Sequence, residues 1–250
     1  MASRALRRWL PQQHGAWAML LVPLLAGMLL AEPSPWHAVL LAAWLLTYMA
    51  LFHAQQWLRL RRHSRNPRAA GRHTRPALVF TAALLPLAAA LVIHAPWLLL
   101  AAACALPLLA VNCCYARANR ERALVNGLVA VVPACGVLPV AVLLGGGTWV
   151  QAGLPALACL LYFIGTVWYV KTMIRERDSR AYGWASALFH GAALAVAWLC
   201  LSPWLTAFFV VCFARALVMP RLGRMRPAAV GAVEVVLSVL LLTAVVVAYG

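Results

Sequence analysis

The segment Tyr169–Arg180 gathers charged and hydroxyl side chains at the point where a long apolar run ends. Lys171 and Arg175 are four residues apart, so on a helix they share one face, with Thr172 beside them. Arginine binds phosphates and carboxylates through paired hydrogen bonds. Together with Arg177, this face is therefore predicted to bind an anionic head group.

A second group of polar residues surrounds a shorter basic segment. Asn112 and Tyr115 are one helical turn apart near the end of an apolar run, Arg120 follows, and Asn126 begins the next run. An amide, a phenol and several arginines at one depth could cradle a phosphate or a carboxylate. The alternative is a loop that sets topology, with arginine stems that reach toward the membrane surface.

Further candidates lie at other ends of apolar runs. His53 and Gln56 close the second run, and Arg72 and Arg75 open the third. Polar side chains buried at a helix end need partners, so these residues are predicted to complete the same polar cluster. His14 lies near the start of the first run, where it could bind an anion or transfer a proton, although a capping role fits equally well.

The elements that position these residues must be membrane helices. Hydrophobic residues make up 65% of the 250 residues and charged residues only 10%, so a water-facing surface cannot be built. The net charge of +16 does not indicate nucleic-acid binding, because the basic residues lie in short segments between apolar runs rather than on a soluble module. The bilayer is the predicted solvent and partner.

The apolar runs predict a single all-α membrane domain over residues 1–250, with about nine transmembrane helices of roughly 20 residues each. No run shows a clear site for cleavage of a signal peptide. The predicted spans are Leu10–Ala31, Trp36–Leu58, Ala77–His94, Pro96–Ala116, Leu124–Leu144, Thr148–Val170, Gly183–Leu201, an eighth that ends near Met219-Pro220, and Ala228–Tyr249.

The basic residues predict the orientation of these helices. With the N-terminus in the cytoplasm, all 21 lysines and arginines fall on the cytoplasmic side, which is the pattern of the positive-inside rule. The C-terminus is then outside, and the expected location is the bacterial inner membrane. The predicted cytoplasmic basic loops are 59–76, 117–123, 171–182 and 220–227, and Arg215 is counted with the last of them. The arginines of 59–68 are expected to contact anionic lipid.

One carboxylate does not fit the loops. Glu234 lies inside the ninth predicted span, where a charge is costly and is usually paired or protonated. It indicates either a polar site within the bundle or a hydrogen bond between helices. With five acidic residues in the chain, a carboxylate site for Mg²⁺ is hard to build, so we expect neither Mg²⁺ nor another cofactor. The seven cysteines form no CxxC pair and are expected to pack as small apolar residues.

Three segments carry a resemblance to a known family. The opening residues 10–23 (LPQQHGAWAMLLVP), the segment 120–122 (RER) and the segment 171–177 (KTMIRER) closely resemble signatures of the YwiC-like bacterial membrane proteins. The resemblance extends over essentially the whole chain. It implies a multi-pass membrane protein and assigns no activity.

A more distant likeness is to the UbiA-type membrane prenyltransferases. Residues 72–76 (RHTRP) are similar to the basic segment after the first aspartate-rich motif of that family, and residues 115–120 (YARANR) to a segment that leads into its fifth helix. The layout of nine helices is also similar. Where the family places aspartates that hold Mg²⁺ and a prenyl diphosphate, this chain has His53, Gln56, Lys171 and Arg175.

Two functions follow from these patterns. In the first, the chain is a divergent UbiA-like transferase, or a binder, that acts on an isoprenoid or another lipid with an anionic head. Lys171, with Arg75, Arg120 and Arg175, then takes the place of metal ions, and His14 or Tyr115 handles protons. In the second, the protein is not an enzyme and binds or transports a lipid or a quinone precursor, or assists assembly of a respiratory complex.

Overall fold

The computed structural model describes residues 9–11, 14–66 and 68–250; the side chain of His14 lies outside this description. The chain divides into two compact units. The first contains residues 34–130 together with the described N-terminal residues 9–11, and the second contains residues 14–33 and 131–250. The prediction of a single domain over residues 1–250 stays a prediction.

The described residues form α-helices joined by short turns, with no strand among them. A single turn of 3₁₀-helix, Met219–Arg221, follows the eighth helix. The helices are α1 His14–Leu29, α2 Pro35–His63, α3 Arg68–His94, α4 Leu98–Arg117, α5 Leu124–Leu144, α6 Trp149–Ile174, α7 Arg180–Cys200, α8 Pro203–Val218 and α9 Pro227–Tyr249.

Local sequence signals start several of these helices. The hydroxyl of Ser34 accepts a hydrogen bond from the amide of Trp36, and Pro35 occupies the first helical position of α2. Thr148 and Gln151 form a reciprocal capping box at the start of α6. The hydroxyl of Ser202 accepts a hydrogen bond from the amide of Leu205 at the start of α8, where Pro203 occupies the first position. These hydroxyls satisfy backbone amides that would otherwise lack acceptors.

The first unit is built on α2, which packs against α3 and α4. Aromatic rings fill part of the space between α2 and α3: Phe80 stacks over His53 with ring centroids 5.8 Å apart. The second unit contains α1, most of α5 and all of α6 to α9. Its core includes Leu138, Tyr162, Phe209 and Leu241, each at most 2% exposed.

Close packing in the second unit depends on small residues. A Cβ atom added at Gly27 of α1 would lie 2.4 Å from the carbonyl oxygen of Leu138 in α5. Only glycine therefore allows α1 to approach α5 so closely. Small residues commonly mediate such contacts in membrane bundles, where helices cannot rely on a hydrophobic driving force between them.

The outer helix faces are apolar. Ile93 is 82% exposed, Val150 88% and Trp198 74%. A water-soluble protein does not expose so many large apolar side chains. Eight helices in the described part of the chain are long and apolar enough to cross a membrane, and α1 is a shorter apolar helix of 16 residues. The protein is thus an all-α, multi-pass membrane protein, as predicted, and its environment is a lipid bilayer.

Several helices extend beyond the predicted spans. Helix α2 continues to His63, α3 already begins at Arg68, and α6 ends at Ile174, so much of the expected loops 59–76 and 171–182 is helical. The number of consecutive apolar residues underestimates the lengths of these helices. A helix can continue into a polar stretch because it satisfies its own backbone hydrogen-bonding groups. Its arginine side chains can meanwhile extend toward the head groups. The predicted orientation, with the basic segments in the cytoplasm, stays a prediction.

Candidate functional site

The first unit contains a polar cleft at the ends of α2 and α4. It has a volume of about 290 Å³ and is lined by Arg59, Asn119, Glu121 and Arg122. Arg59 lies in the last turns of α2, and the other three residues belong to the short turn between α4 and α5. Asn119 has a φ of 55°, in the left-handed region that asparagine tolerates better than most residues. This conformation lets the chain reverse tightly after α4.

Glu121 holds the arginine on the α2 side of the cleft. The Nη1 of Arg59 donates to Oε2 of Glu121 at 2.9 Å, and Nε2 of Gln56 donates to Oε1 at 3.3 Å. The side chains of Arg59 and Glu121 are 31% and 24% exposed, so water still reaches the pair. The carboxylate fixes the position of the guanidinium while the cleft remains accessible.

A chain of asparagine hydrogen bonds supports the turn from the other side. The Nδ2 of Asn112 donates to Oδ1 of Asn126 at 2.8 Å and also contacts its backbone oxygen at 3.1 Å. Asn126 in turn donates to the backbone oxygen of Glu121 at 2.7 Å. These bonds connect α4, α5 and the turn that carries Glu121. Gln56, Asn112 and Asn126 thus connect through Glu121 in a supporting position behind the cleft, and their predicted role in binding an anionic head group stays a prediction.

The other predicted site residues of the first unit lie apart from this network. His53 is fully buried in α2, where its Nδ1 lies 2.9 Å from Nδ1 of His73 and its Nε2 lies 3.1 Å from the backbone oxygen of Trp9. Because a carbonyl only accepts, Nε2 of His53 carries the hydrogen, and His73 then donates through its own Nδ1. Arg72 and Arg75 are exposed on α3.

The turn after α4 places two more predicted residues. Tyr115 is half-buried near the end of α4, and its backbone oxygen accepts a hydrogen bond from the amide of Arg120 at 2.8 Å. The side chain of Arg120 is exposed. Arg120 stands between the lining residues Asn119 and Glu121 in the sequence, so it lies on the turn that borders the cleft. The proton-handling role predicted for Tyr115 stays a prediction.

The predicted residues of the second unit meet at the end of α6. Lys171 lies in the last turn, and the amides of Arg175 and Glu176 both donate to its backbone oxygen at 2.9 Å. Thr172 is buried, and its hydroxyl donates to the backbone oxygen of Trp168 at 3.0 Å. Cations at this position are favoured by the negative end of the helix dipole. Arg177 is half-buried in the turn that follows. His14 is the first residue of α1, but its side chain lies outside the described residues.

A cluster that the sequence indicated only through Glu234 occupies the core of the second unit. Arg215 of α8 forms an ion pair with Glu234 of α9, and both side chains are 4% exposed. The Oε2 of Glu234 accepts hydrogen bonds from Thr166 at 2.8 Å and from Tyr162 at 3.3 Å. Arg215 is thus not one of the basic residues of the segment that follows α8, because the buried carboxylate retains it inside the bundle.

The contacts of His190 determine its protonation. Its Nε2 lies 3.2 Å from Nη2 of Arg215, and its Nδ1 lies 2.7 Å from the backbone oxygen of Ser186. Since a guanidinium only donates, Nε2 must accept, and the hydrogen is on Nδ1. His190 is therefore neutral in this arrangement. The charges of Arg215 and Glu234 cancel, so the cluster is neutral overall, which reduces the cost of keeping it within the membrane.

The position of His190 depends on a glycine in the neighbouring helix. A Cβ atom added at Gly165 of α6 would lie 3.0 Å from Nε2 of His190. The guanidinium also lies over the ring of Tyr169, with Cζ 4.0 Å from the ring centroid. The spacing of Tyr162, Thr166 and Tyr169 places all three on one face of α6. That spacing, together with the isolated charges within apolar helices, was the sequence signal that could have indicated this buried cluster.

No group of three or more histidine, cysteine, aspartate or glutamate side chains that could hold a metal ion occurs in the described parts of the chain. The expectation that the protein uses neither Mg²⁺ nor another cofactor stays a prediction. The described cysteines are free, and Cys135, Cys159 and Cys212 are buried as apolar residues.

Comparison with known proteins connects this architecture to a family. Residues 10–142 match the family described as YwiC-like protein. The chain is 34% identical to "Uncharacterized protein YwiC" of Bacillus subtilis over 203 residues, which cover 80% of the chain and 77% of that protein. It is 33% identical to an "Uncharacterized protein" of Haemophilus influenzae over 193 residues, 71% of the chain and 72% of that protein. No solved structure matches it. The likeness to UbiA-type prenyltransferases stays a prediction. The chain belongs to the YwiC-like family of multi-pass membrane proteins.

Proposed function

We propose that the first unit binds the anionic head group of a membrane lipid in the cleft formed by Arg59, Asn119, Glu121 and Arg122. The observation that carries this proposal is a cleft of about 290 Å³ with two arginines in its lining, at the ends of membrane helices. Ligand pockets in proteins usually measure roughly 300–1,000 Å³. A volume at the lower end suits a head group, with the acyl chains left in the bilayer.

The charge of the lining favours an anion. Two arginines and one glutamate give the four lining residues a formal charge of +1. Arg117 is exposed at the end of α4, Arg120 on the turn that follows, and Arg61 and Arg62 at the end of α2, so the surroundings add positive potential. A guanidinium presents paired donors that match a phosphate. The head group we propose therefore carries a phosphate and a net negative charge.

Preorganisation supports binding at this cleft. The carboxylate of Glu121 fixes Arg59, and the bonds among Asn112, Asn126 and the backbone of Glu121 hold the turn. Because these side chains are positioned before a ligand arrives, less conformational entropy is lost on binding.

The lining favours binding over catalysis. The carboxylate of Glu121 is the one side chain of the lining that could act as a nucleophile, and Arg59 and Gln56 already engage it. We therefore prefer a lipid-binding role to a transferase. In this proposal the protein lies in the bacterial inner membrane with the cleft on the cytoplasmic side.

Native mass spectrometry of the detergent-purified protein tests the proposal. Phosphatidylglycerol and phosphatidylcholine are titrated against the wild type and the variants Arg122→Gln and Arg65→Gln. Arg65 is an exposed arginine of the same unit outside the cleft, so it is the matched control. A hydrogen bond to a charged group contributes about 1.5–3 kcal/mol, so Arg122→Gln should weaken phosphatidylglycerol binding roughly tenfold or more. Arg65→Gln should leave it nearly unchanged.

Two results would overturn the proposal. Equal affinity for the two lipids would show that the anionic head group is not recognised. Equal losses in both variants would show that only the general positive charge of the surface matters. Excess inorganic phosphate is added in a parallel titration. Displacement of phosphatidylglycerol in the wild type, and not of the lipid that Arg122→Gln still retains, would show that its phosphate occupies the cleft.

A further inference from the structure

Four buried polar atoms in the second unit have no hydrogen-bond partner among the described residues, and three of them belong to Arg215 and residues near it: Nε of Arg215, the hydroxyl oxygen of Tyr169 and the hydroxyl oxygen of Ser186. Their residues are 7%, 0% and 1% exposed. A buried polar group without a partner is costly, and such groups in native proteins usually have a partner or a bound water. We propose that these three atoms form an internal binding site for water.

The three residues belong to one arrangement. The guanidinium of Arg215 stacks on the ring of Tyr169, with Cζ 4.0 Å from its centroid. The same guanidinium contacts His190 through Nη2, and His190 donates to the backbone oxygen of Ser186. Helices α6, α7 and α8 therefore each bring one of the unpaired atoms to the surroundings of a single guanidinium.

The chemistry of these atoms defines the ligand. The Nε–H of Arg215 only donates, so the ligand must offer an acceptor, while the two hydroxyls can either donate or accept. Arg215 is already balanced by Glu234, and His190 is neutral, so an anion would bring an uncompensated charge into the bundle. A neutral oxygen is the ligand that fits.

The size of the ligand follows from the burial. Tyr169 and Ser186 are almost completely enclosed by protein, so a larger molecule could enter only if the helices separated. A buried water typically makes about three hydrogen bonds to polar groups that lack other partners. Water meets these conditions, and it would complete the hydrogen bonding of the guanidinium within the membrane helices.

The opposite side of the same cluster provides an internal control. The hydroxyl of Tyr162 lies 3.3 Å from Oε2 of Glu234 and 3.2 Å from Oγ of Ser238, and Tyr162 is 2% exposed. Tyr162 and Tyr169 are thus two buried tyrosines of α6, 2% and 0% exposed. Only the hydroxyl of Tyr169 lacks a protein partner.

Radiolytic hydroxyl-radical footprinting, read by mass spectrometry, can detect water bound beside a buried side chain. The full-length protein is irradiated in nanodiscs, so that radicals form from internal water as well as from bulk solvent. We expect Tyr169 to be modified several-fold faster than Tyr162. We also expect Ser186→Ala to reduce the modification of Tyr169 and to leave that of Tyr162 unchanged. Equal, low modification of both tyrosines would overturn the proposal.

Thermal unfolding of Tyr169→Phe is a second measurement that does not depend on radical chemistry. If the hydroxyl binds water, its removal costs a hydrogen bond and lowers the unfolding temperature. If it is simply unpaired, the phenylalanine variant is as stable as the wild type or more stable, and the proposal fails. Tyr162→Phe removes hydrogen bonds that the structure shows directly. The fall in its unfolding temperature is therefore the reference against which Tyr169→Phe is compared.

Discussion

Replacement of Glu234 by glutamine tests whether the buried ion pair is a main stabilising feature of the second unit. The substitution preserves the shape of the side chain and removes its negative charge. Oε1 of Glu234 accepts from Arg215, and Oε2 accepts from Thr166 and Tyr162. In Glu234→Gln the amide oxygen can retain some of these bonds, but the amide nitrogen cannot accept, and Arg215 loses its counter-charge.

The expected cost follows from burial. Both side chains of the pair are 4% exposed, so water cannot replace the missing charge. Loss of one partner of a buried ion pair typically costs roughly 3–5 kcal/mol, because the remaining charge is left uncompensated. The cation–π contact with Tyr169 is retained and stabilises the cation in part. We therefore expect a loss near the lower limit, about 3 kcal/mol.

The assay is reversible unfolding in bicelles, compared for Glu234→Gln, Arg215→Met and the double variant Arg215→Met/Glu234→Met. Because the double variant leaves no unpaired charge, it should be less destabilised than the sum of the single variants. The matched control is Glu121→Gln in the partly exposed pair with Arg59. Exposed pairs contribute only about 0–1 kcal/mol, so this control should be mild. Strict additivity in the double variant, or equal losses at Glu234 and Glu121, would refute the reasoning.

Two further substitutions test packing and support of the cleft. Gly27→Ala should cost about 1–3 kcal/mol in the same unfolding assay, because its Cβ would meet the backbone of Leu138, whereas Gly136→Ala, which meets nothing within 4 Å, should be tolerated. Comparable stabilities of the two variants would contradict the close approach of α1 and α5. Asn126→Ala removes the bonds to Asn112 and to the backbone of Glu121, so a loss of about 1–3 kcal/mol is expected, together with weaker phosphatidylglycerol binding in the titration described above. Unchanged lipid binding would show that the asparagines do not position the cleft.

The helices could be predicted well because their signal is local. Runs of apolar residues between basic segments gave every helix from α1 to α9, with proline or serine at several starts. The ends were less accurate, since α2 extends to His63 and α3 begins at Arg68, within an arginine-rich stretch. Composition shows where a helix becomes polar, but backbone hydrogen bonding determines where it stops.

The polar sites were predicted only in part. Gln56, Asn112 and Asn126 lie at ends of neighbouring apolar runs, and the structure connects them through Glu121. The partner of Glu234 was missed. Arg215 resembles the other arginines near helix ends, and nothing in its immediate sequence shows that it points to a carboxylate in another helix. Pairings of this kind depend on the rotation and depth of separate helices.

The sequence by itself determined the solvent and the helices α1 to α9 of the described residues, because hydropathy over about 20 residues decides whether a segment belongs in a bilayer. Three short segments, 10–23, 120–122 and 171–177, indicated the family. The sequence also identified the one carboxylate within a span that requires a partner, Glu234. The tertiary structure decided that the partner is Arg215, that His190 is neutral beside it, and that Arg59 is held by Glu121 at a cleft. The physical reason is range: hydropathy acts along each segment separately, whereas a hydrogen bond requires two helices to bring their side chains within about 3 Å of each other.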